Sequence, residues 1–210
     1  AILGYMVTDS WRAMQAVKQK HPKVPAVIGG WFASVRPDLM LETGLYEAVV
    51  IGQGELIFRD LVRAIDAGES LDDMEGIAIL RDGQVIKNPR RSVAGWDDIP
   101  GGPWHLLDPT PYREHQMRAN SAGDELRMPT PPWIGPRKPY FGITYFSSYG
   151  CPEPCGFCCS PEIRMRRWKC MPAARLLAAI EELHDRWGFD VIRFHDANFG
   201  VMQKRVREFS

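Results

Sequence analysis

The chain has 210 residues, 45% hydrophobic and 25% charged, with 26 basic residues against 26 acidic ones. This composition is ordinary for a globular protein of one large or two small domains. A formal charge of zero excludes a general electrostatic pull toward nucleic acid or a membrane surface, and no apolar run approaches the roughly 20 residues that span a bilayer.

In chain order, residues 1–68 alternate between strand-like and helix-like patterns. Ala1 to Val7 reads as a short apolar strand, and Asp9 or Ser10 can cap a helix running to about Lys20. Val24 to Ile28 reads as a strand ending in Gly29-Gly30. Pro37 suits the first turn of a short helix that Gly44 stops. Ala48 to Ile51 is the next strand, ending in Gly52-Gln53-Gly54-Glu55. A helix follows from Leu56 to Ala67, with Ile57, Leu61, Ala64 and Ile65 on one stripe and Gly68 at its end. Short connections between alternating strands and helices imply a parallel sheet with helices on both faces. Ligands of such sheets bind at the carboxyl ends of the strands, where both glycine clusters fall, although ordinary tight turns would also explain them.

Leu71 to Asn88 holds two apolar runs around Asp82-Gly83, a hairpin signal. Residues 89–139 are rich in Pro, Gly and Arg and read as a linker or extended wrap. There Trp104, His105 and Trp133 read as aromatic anchors for the linker rather than as substrate contacts. Tyr140 to Ser147 alternates as a strand does. The basic run Arg164, Arg166, Arg167 and Lys169 reads as a solvated face, with an anion contact as the sharper option. Pro172 opens a helix that Gly188 ends, striped by Leu176, Leu177, Ile180, Leu183 and Trp187. Phe189 to Phe194 is then a strand closing in His195-Asp196-Ala197-Asn198-Phe199-Gly200. Strand, loop, helix and strand make one and a half units of a β/α barrel.

Between the last two of those strands lies the densest chemistry: Cys151-Pro152-Glu153-Pro154-Cys155-Gly156-Phe157-Cys158. Two prolines and a glycine resist regular structure there, so the backbone can wrap a small object. Thiolates select iron–sulfur clusters, zinc or copper(I), and three of them leave one position of a four-iron cluster open. A structural zinc site usually pairs two C-x₂-C knuckles, and no second knuckle exists, although Cys159 or Cys170 could serve as a fourth ligand. Disulfides fit poorly with an odd count of five cysteines and no secretory signal. A ferredoxin-type carrier would need a fourth cysteine at its own spacing.

The C-x₃-C-x₂-C spacing, with aromatic Phe157 before the third cysteine, resembles the radical S-adenosylmethionine (SAM) superfamily. The resemblance implies that Cys151, Cys155 and Cys158 bind a [4Fe–4S] cluster whose open iron chelates SAM. One electron then cleaves SAM to methionine and a 5′-deoxyadenosyl radical. Phe157 would join the cofactor-binding residues. The run Phe194-His195-Asp196-Ala197-Asn198-Phe199 resembles the strand-end motif of the cobalamin-dependent class, in which the acid, here Asp196 with Asn198 nearby, meets the amino group of SAM. An aspartate capping the following helix is the plain alternative, and His195 should point away as core or support.

Residues 28–34 and 49–55 resemble the second half of the cobalamin-binding domain of that class. Gly29, Gly30, Gly52, Gly54 and Glu55 would line the groove for the nucleotide tail. Gln53 stands where a G-E-G-E motif would place glutamate.

The expected fold class is therefore α/β: a partial doubly wound, Rossmann-like parallel sheet, then the start of a radical SAM partial barrel. The expected division is 1–70 for the end of the cobalamin-binding domain, 71–139 for hairpin and linker, and 140–210 for the start of the barrel. The chain reads as a fragment of a cytoplasmic enzyme, inactive alone, with no catalytic side chain assigned. Its expected cofactors are the cluster, SAM and cobalamin. Its expected partners are a small-molecule substrate and a flavodoxin- or ferredoxin-type electron donor, without nucleic acid or a membrane span. The chemistry implied is methyl transfer to an unactivated centre or oxidative cyclisation. An RNA methylthiotransferase would bring upstream cysteines and a basic surface. A non-catalytic zinc module would bind zinc without iron or sulfide.

Overall fold

β-Branched and small apolar residues build two short parallel strands, β1 (Val27–Gly29) and β2 (Ala48–Val50), paired from Val27↔Ala48 to Gly29↔Val50. The computed structural model describes residues 6–99, 101–122 and 140–210. Successive residues of β2 point to opposite faces, and both faces are covered. Val49 and Ile51 join Ala26, Ile28, Met40, Leu41 and Ala78 in one core, while Ala48 and Val50 join Ile57, Leu61, Ile77 and Ile79 in another. Helices α1 (Val7–Lys20), α2 (Trp31–Val35) and α3 (Pro37–Leu41) precede β2, and α4 (Gly54–Ala67) follows it. Gly68 ends α4 in the left-handed conformation, at φ 67°.

Two expectations change here. The first strand was expected to reach Val7. Ala1 to Tyr5 lie outside the described residues, and Val7 already opens α1. The hairpin, β3 (Ile77–Arg81) and β4 (Gln84–Lys87), extends the sheet: β3 pairs antiparallel with β2, giving the order β1-β2-β3-β4. The sheet is thus mixed, with one parallel pair. Asp82 and Gly83 turn the hairpin at φ 49° and 77°.

The chain divides into two compact units, Ala1–Ile99 with Cys151–Trp168 and Pro100–Gly150 with Lys169–Ser210. In the first, Asp60 of α4 accepts from Arg59 and from Arg91, each at 2.7 Å. These two guanidinium bonds hold the carboxyl at about 2. The folded value lies below that of the unfolded chain, so the pair stabilises above about pH 4 and the gain fades as pH falls toward 2. The side chain is 29% exposed, which limits the effect to about 1 kcal/mol. Urea unfolding from pH 5 to 2.5 should show this slope, and Asp60→Asn should flatten it.

In the second unit β5 (Gly142–Tyr145) pairs parallel with β8 (Val191–Phe194) across α7 (Ala173–Trp187). Leu176, Leu183 and Trp187 of the predicted stripe are buried, while Leu177 is exposed. Gly188 caps α7 at φ 58°. The core of this unit is Phe141, Ile143, Leu183, Trp187 and Phe189.

The stretch expected as linker contains a helix, α5 (Thr110–Ala122), whose polar sequence hid it. Asp108 opens it by accepting from Thr110 N at 2.9 Å. The Gln116 amide makes two 2.9 Å bonds to Gly142, accepting from its N and donating to its O, and so pairs a strand edge. Trp104 packs edge-on against Trp187 at 5.5 Å, as a linker anchor does, and Trp133 lies outside the described residues. A ribbon of β6 (Ser148–Gly150) and β7 (Trp168–Cys170) flanks the cysteine segment, which contains α6 (Ser160–Arg164), and α8 (Gln203–Phe209) ends the chain. Among the described residues, no helix is long and apolar enough to cross a membrane.

Candidate functional site

Gly150 ends β6 at φ 84°, and the chain leaves regular structure directly at Cys151. Prolines 152 and 154 keep it irregular until Gly156-Phe157, where Cys158 N donates to Cys155 O at 3.1 Å and closes a turn. Helix α6 follows, and its Ser160 N donates to Cys158 Sγ at 3.4 Å. Arg166, at φ 54°, donates through Nε to Pro152 O at 3.1 Å, so part of the predicted basic run clasps the loop. All five cysteines are free thiols: Cys155 and Cys158 are exposed, Cys151 is half-buried, and the Phe157 ring is 95% exposed.

Among the described residues, no three His, Cys, Asp or Glu side chains are gathered closely enough to hold a metal ion. The three sulfurs therefore share a loop without converging. Thiols have no attraction for one another, and bonds to a metal supply the energy that draws such ligands together. The donor set fits a cluster: three reduced sulfurs on backbone free of regular structure, one already accepting an N–H bond of the kind that tunes cluster potentials.

The predicted glycines sit at the carboxyl ends of the parallel pair. A Cβ on Gly29 would lie 3.3 Å from both Cβ and O of Val50, so a side chain there would press the paired strands apart by a few tenths of an ångström. Gly30, at φ 102°, starts α2, and Gly52, at φ 85°, donates its N–H to Ser34 Oγ at 3.1 Å. Gly54 and Glu55 form the first turn of α4, where a carboxylate suits the helix dipole. Gln53, the departure from the family motif, accepts from Ala94 N at 2.7 Å and so holds the chain beyond the hairpin.

Sequence reasoning missed what meets these strand ends. The Arg164 guanidinium lies 5.2 Å from the centroid of the Trp31 ring, and burial lowers its pKa to about 10 while Glu55 opposes the shift. Ile163 O lies 3.4 Å from where a Cβ on Gly52 would stand. Helix α6, directly after the cysteines, thus packs on the glycine-bearing strand ends.

In the second unit Asp196 follows β8. Its Oδ1 accepts from Ser147 N and Oγ, each at 3.1 Å, and from Ser148 Oγ. Oδ2 has only longer contacts, 3.3 and 3.2 Å, to the same two groups of Ser147. Asp196 therefore ties down the turn between β5 and β6 instead of capping a following helix. Phe194 and Phe199 on either side of it stack at 4.8 Å, and Phe209 packs edge-on to both. Asn198 precedes a 3₁₀ turn, Phe199–Val201. His195 is exposed beside Phe146, not in the core. Neither Ser147 nor Arg205, which bonds it, carried a sequence signal.

The fold matches part of that of solved cobalamin-dependent radical SAM enzymes, and the similarity extends over nearly the whole of this chain. Among curated proteins, the uncharacterized methyltransferase PH0819 of Pyrococcus horikoshii is 28% identical over 204 residues, 96% of this chain and 39% of that one. The anaerobic magnesium-protoporphyrin IX monomethyl ester cyclase of Rubrivivax gelatinosus is 24% identical over 196 residues, 91% of this chain and 30% of that one. Among solved structures, the radical SAM methyltransferase TsrM of Kitasatospora setae, with cobalamin and a [4Fe–4S] cluster bound, aligns at a TM-score of 0.64 and 19% identity, over 97% of this chain and 36% of that one. The cobalamin-dependent radical enzyme OxsB, with aqua-cobalamin and SAM bound, aligns at 0.68 and 16%, over 98% and 26%. The chain thus spans less than two fifths of each. No family model matches it.

Proposed function

We propose that this chain is part of a cobalamin-dependent radical SAM methyltransferase. The observation that carries the reading is the C-x₃-C-x₂-C loop of free thiols within a chain that matches this class almost end to end. Methyl transfer is favoured over ring closure because the relatives named as methyltransferases include PH0819 and TsrM, although the cyclase match supports ring closure as a second reading.

Cys151, Cys155 and Cys158 hold the [4Fe–4S] cluster, which when bound supplies one-electron reduction of SAM. Phe157, exposed on the same loop, offers a flat apolar face to the adenine. Asp196 accepts from an N–H of the SAM amino group, with Asn198 beside it in the motif. Gly29, Gly30, Gly52, Gly54 and Glu55 border the cobalamin tail. Residues 1–70 are then the end of the cobalamin-binding domain and 140–210 the start of the barrel, joined by 71–139. The substrate is a small molecule, and electrons come from a flavodoxin or ferredoxin. Free thiols suit a reducing cytoplasm. The chain by itself lacks turnover.

Anaerobic reconstitution of the chain with iron and sulfide tests this. A brown protein with about four irons per chain and an EPR signal on reduction is expected. Zinc bound without iron or sulfide would replace this reading with a structural metal module.

A further inference from the structure

Arg205 of α8 is 2% exposed and has no carboxylate within ion-pair distance among the described residues. Burying a guanidinium is costly unless its hydrogens are used and its charge is answered. Its Nε donates to Met171 O at 2.7 Å, its Nη2 donates to Ser147 O at 3.2 Å and Oγ at 2.6 Å, and its plane covers the Phe199 ring at 4.9 Å. Nη1 has no hydrogen-bond partner among the described residues.

The charge is answered one step away. A serine hydroxyl has a single proton. Because Ser147 Oγ accepts from Arg205, that proton is left for Asp196, giving a one-way chain from Arg205 through Ser147 to Asp196. Ser147 is fully buried and Ser148 is 5% exposed, so the chain runs where hydrogen bonds polarise one another. Ser148 Oγ bonds Oδ1 alone, so Oδ2 keeps the greater acceptor capacity.

We propose that Arg205 is a positioning residue for SAM, setting the orientation of Asp196 through the Ser147 hydroxyl. This rests on the reading that Asp196 meets the amino group of SAM. Arg205 then tunes affinity for the amino end of the ligand and leaves the adenosine end alone.

The test is equilibrium dialysis of the cluster-loaded, full-length protein against SAM and against its analogue lacking the α-amino group. Ser147→Ala removes only the relay hydroxyl and keeps the backbone bonds, while Arg205→Lys keeps the charge and loses the fork. Each should weaken SAM about tenfold and leave the desamino analogue unchanged. Equal weakening of both ligands, or of neither, overturns the proposal. If Arg205→Lys does not fold, Ser147→Ala decides. Asp196→Asn separates the two levels. If it binds SAM as the parent does, the assignment of Asp196 itself fails. If it weakens SAM while the Ser147 and Arg205 variants do not, only the positioning role fails.

Discussion

Alanine at Cys151, Cys155 or Cys158 should reduce bound iron after reconstitution from about four per chain to near zero. Each of these thiols is free, and together they form the only closely spaced trio of cysteines in the sequence, apart from Cys159 next to the third. The structure shows them on one loop without convergence. With one of the three replaced, two sulfurs remain for a cluster that takes three or four protein thiolates. Cys159→Ala and Cys170→Ala are the controls and should retain iron. Cys170 lies in β7, where burial raises its thiol pKa, and Arg205 and Asp196 exert opposing influences on it. Iron counting together with the visible absorbance of the reconstituted protein is the measurement. Loss of the cluster in the Cys159 variant would mean four protein ligands and no vacancy for SAM, ending the proposed chemistry.

The second large effect is on stability. Trp187→Ala should destabilise the second unit by about 3–5 kcal/mol, a substantial part of the 5–15 kcal/mol typical of a domain. Trp187 is 7% exposed, packs with Phe141, Ile143, Leu183 and Phe189, and receives the edge of Trp104 at 85°. Its carbonyl also accepts from Arg113 of α5, whose guanidinium lies 4.7 Å from the Phe141 ring centroid. The indole thus joins α7, the strand ends and the former linker. Trp104→Ala should cost less, about 0.5–1.5 kcal/mol beyond its buried area, because only the ring pair is lost. Urea unfolding followed by tryptophan fluorescence measures both. Equal losses would mean that the linker contact, not the core, carries the energy.

The strand–helix alternation was legible because it is written in near neighbours. Pro37 and Pro172 open helices, Gly68 and Gly188 close them, and Leu61 and Leu183 recur at helical spacing on buried faces. Helix α5 was not legible. It lacks an apolar stripe and owes its place to the Gln116 and Arg113 contacts with distant backbone. The edge on which the hairpin docks was hidden for a similar reason, since Asp82-Gly83 specifies a turn but not the strand beside it.

By itself the sequence determined the cysteine spacing, the punctuation of the helices and the location of the glycines at strand ends, because each depends on residues adjacent in the chain. Tertiary structure alone decided that Arg164 lies over Trp31, that Gln53 holds Ala94, and that Arg205 reaches Asp196 through Ser147. Those partners are separated by tens of residues, and a buried charge or amide finds its acceptor only where packing brings backbone and hydroxyl groups to it.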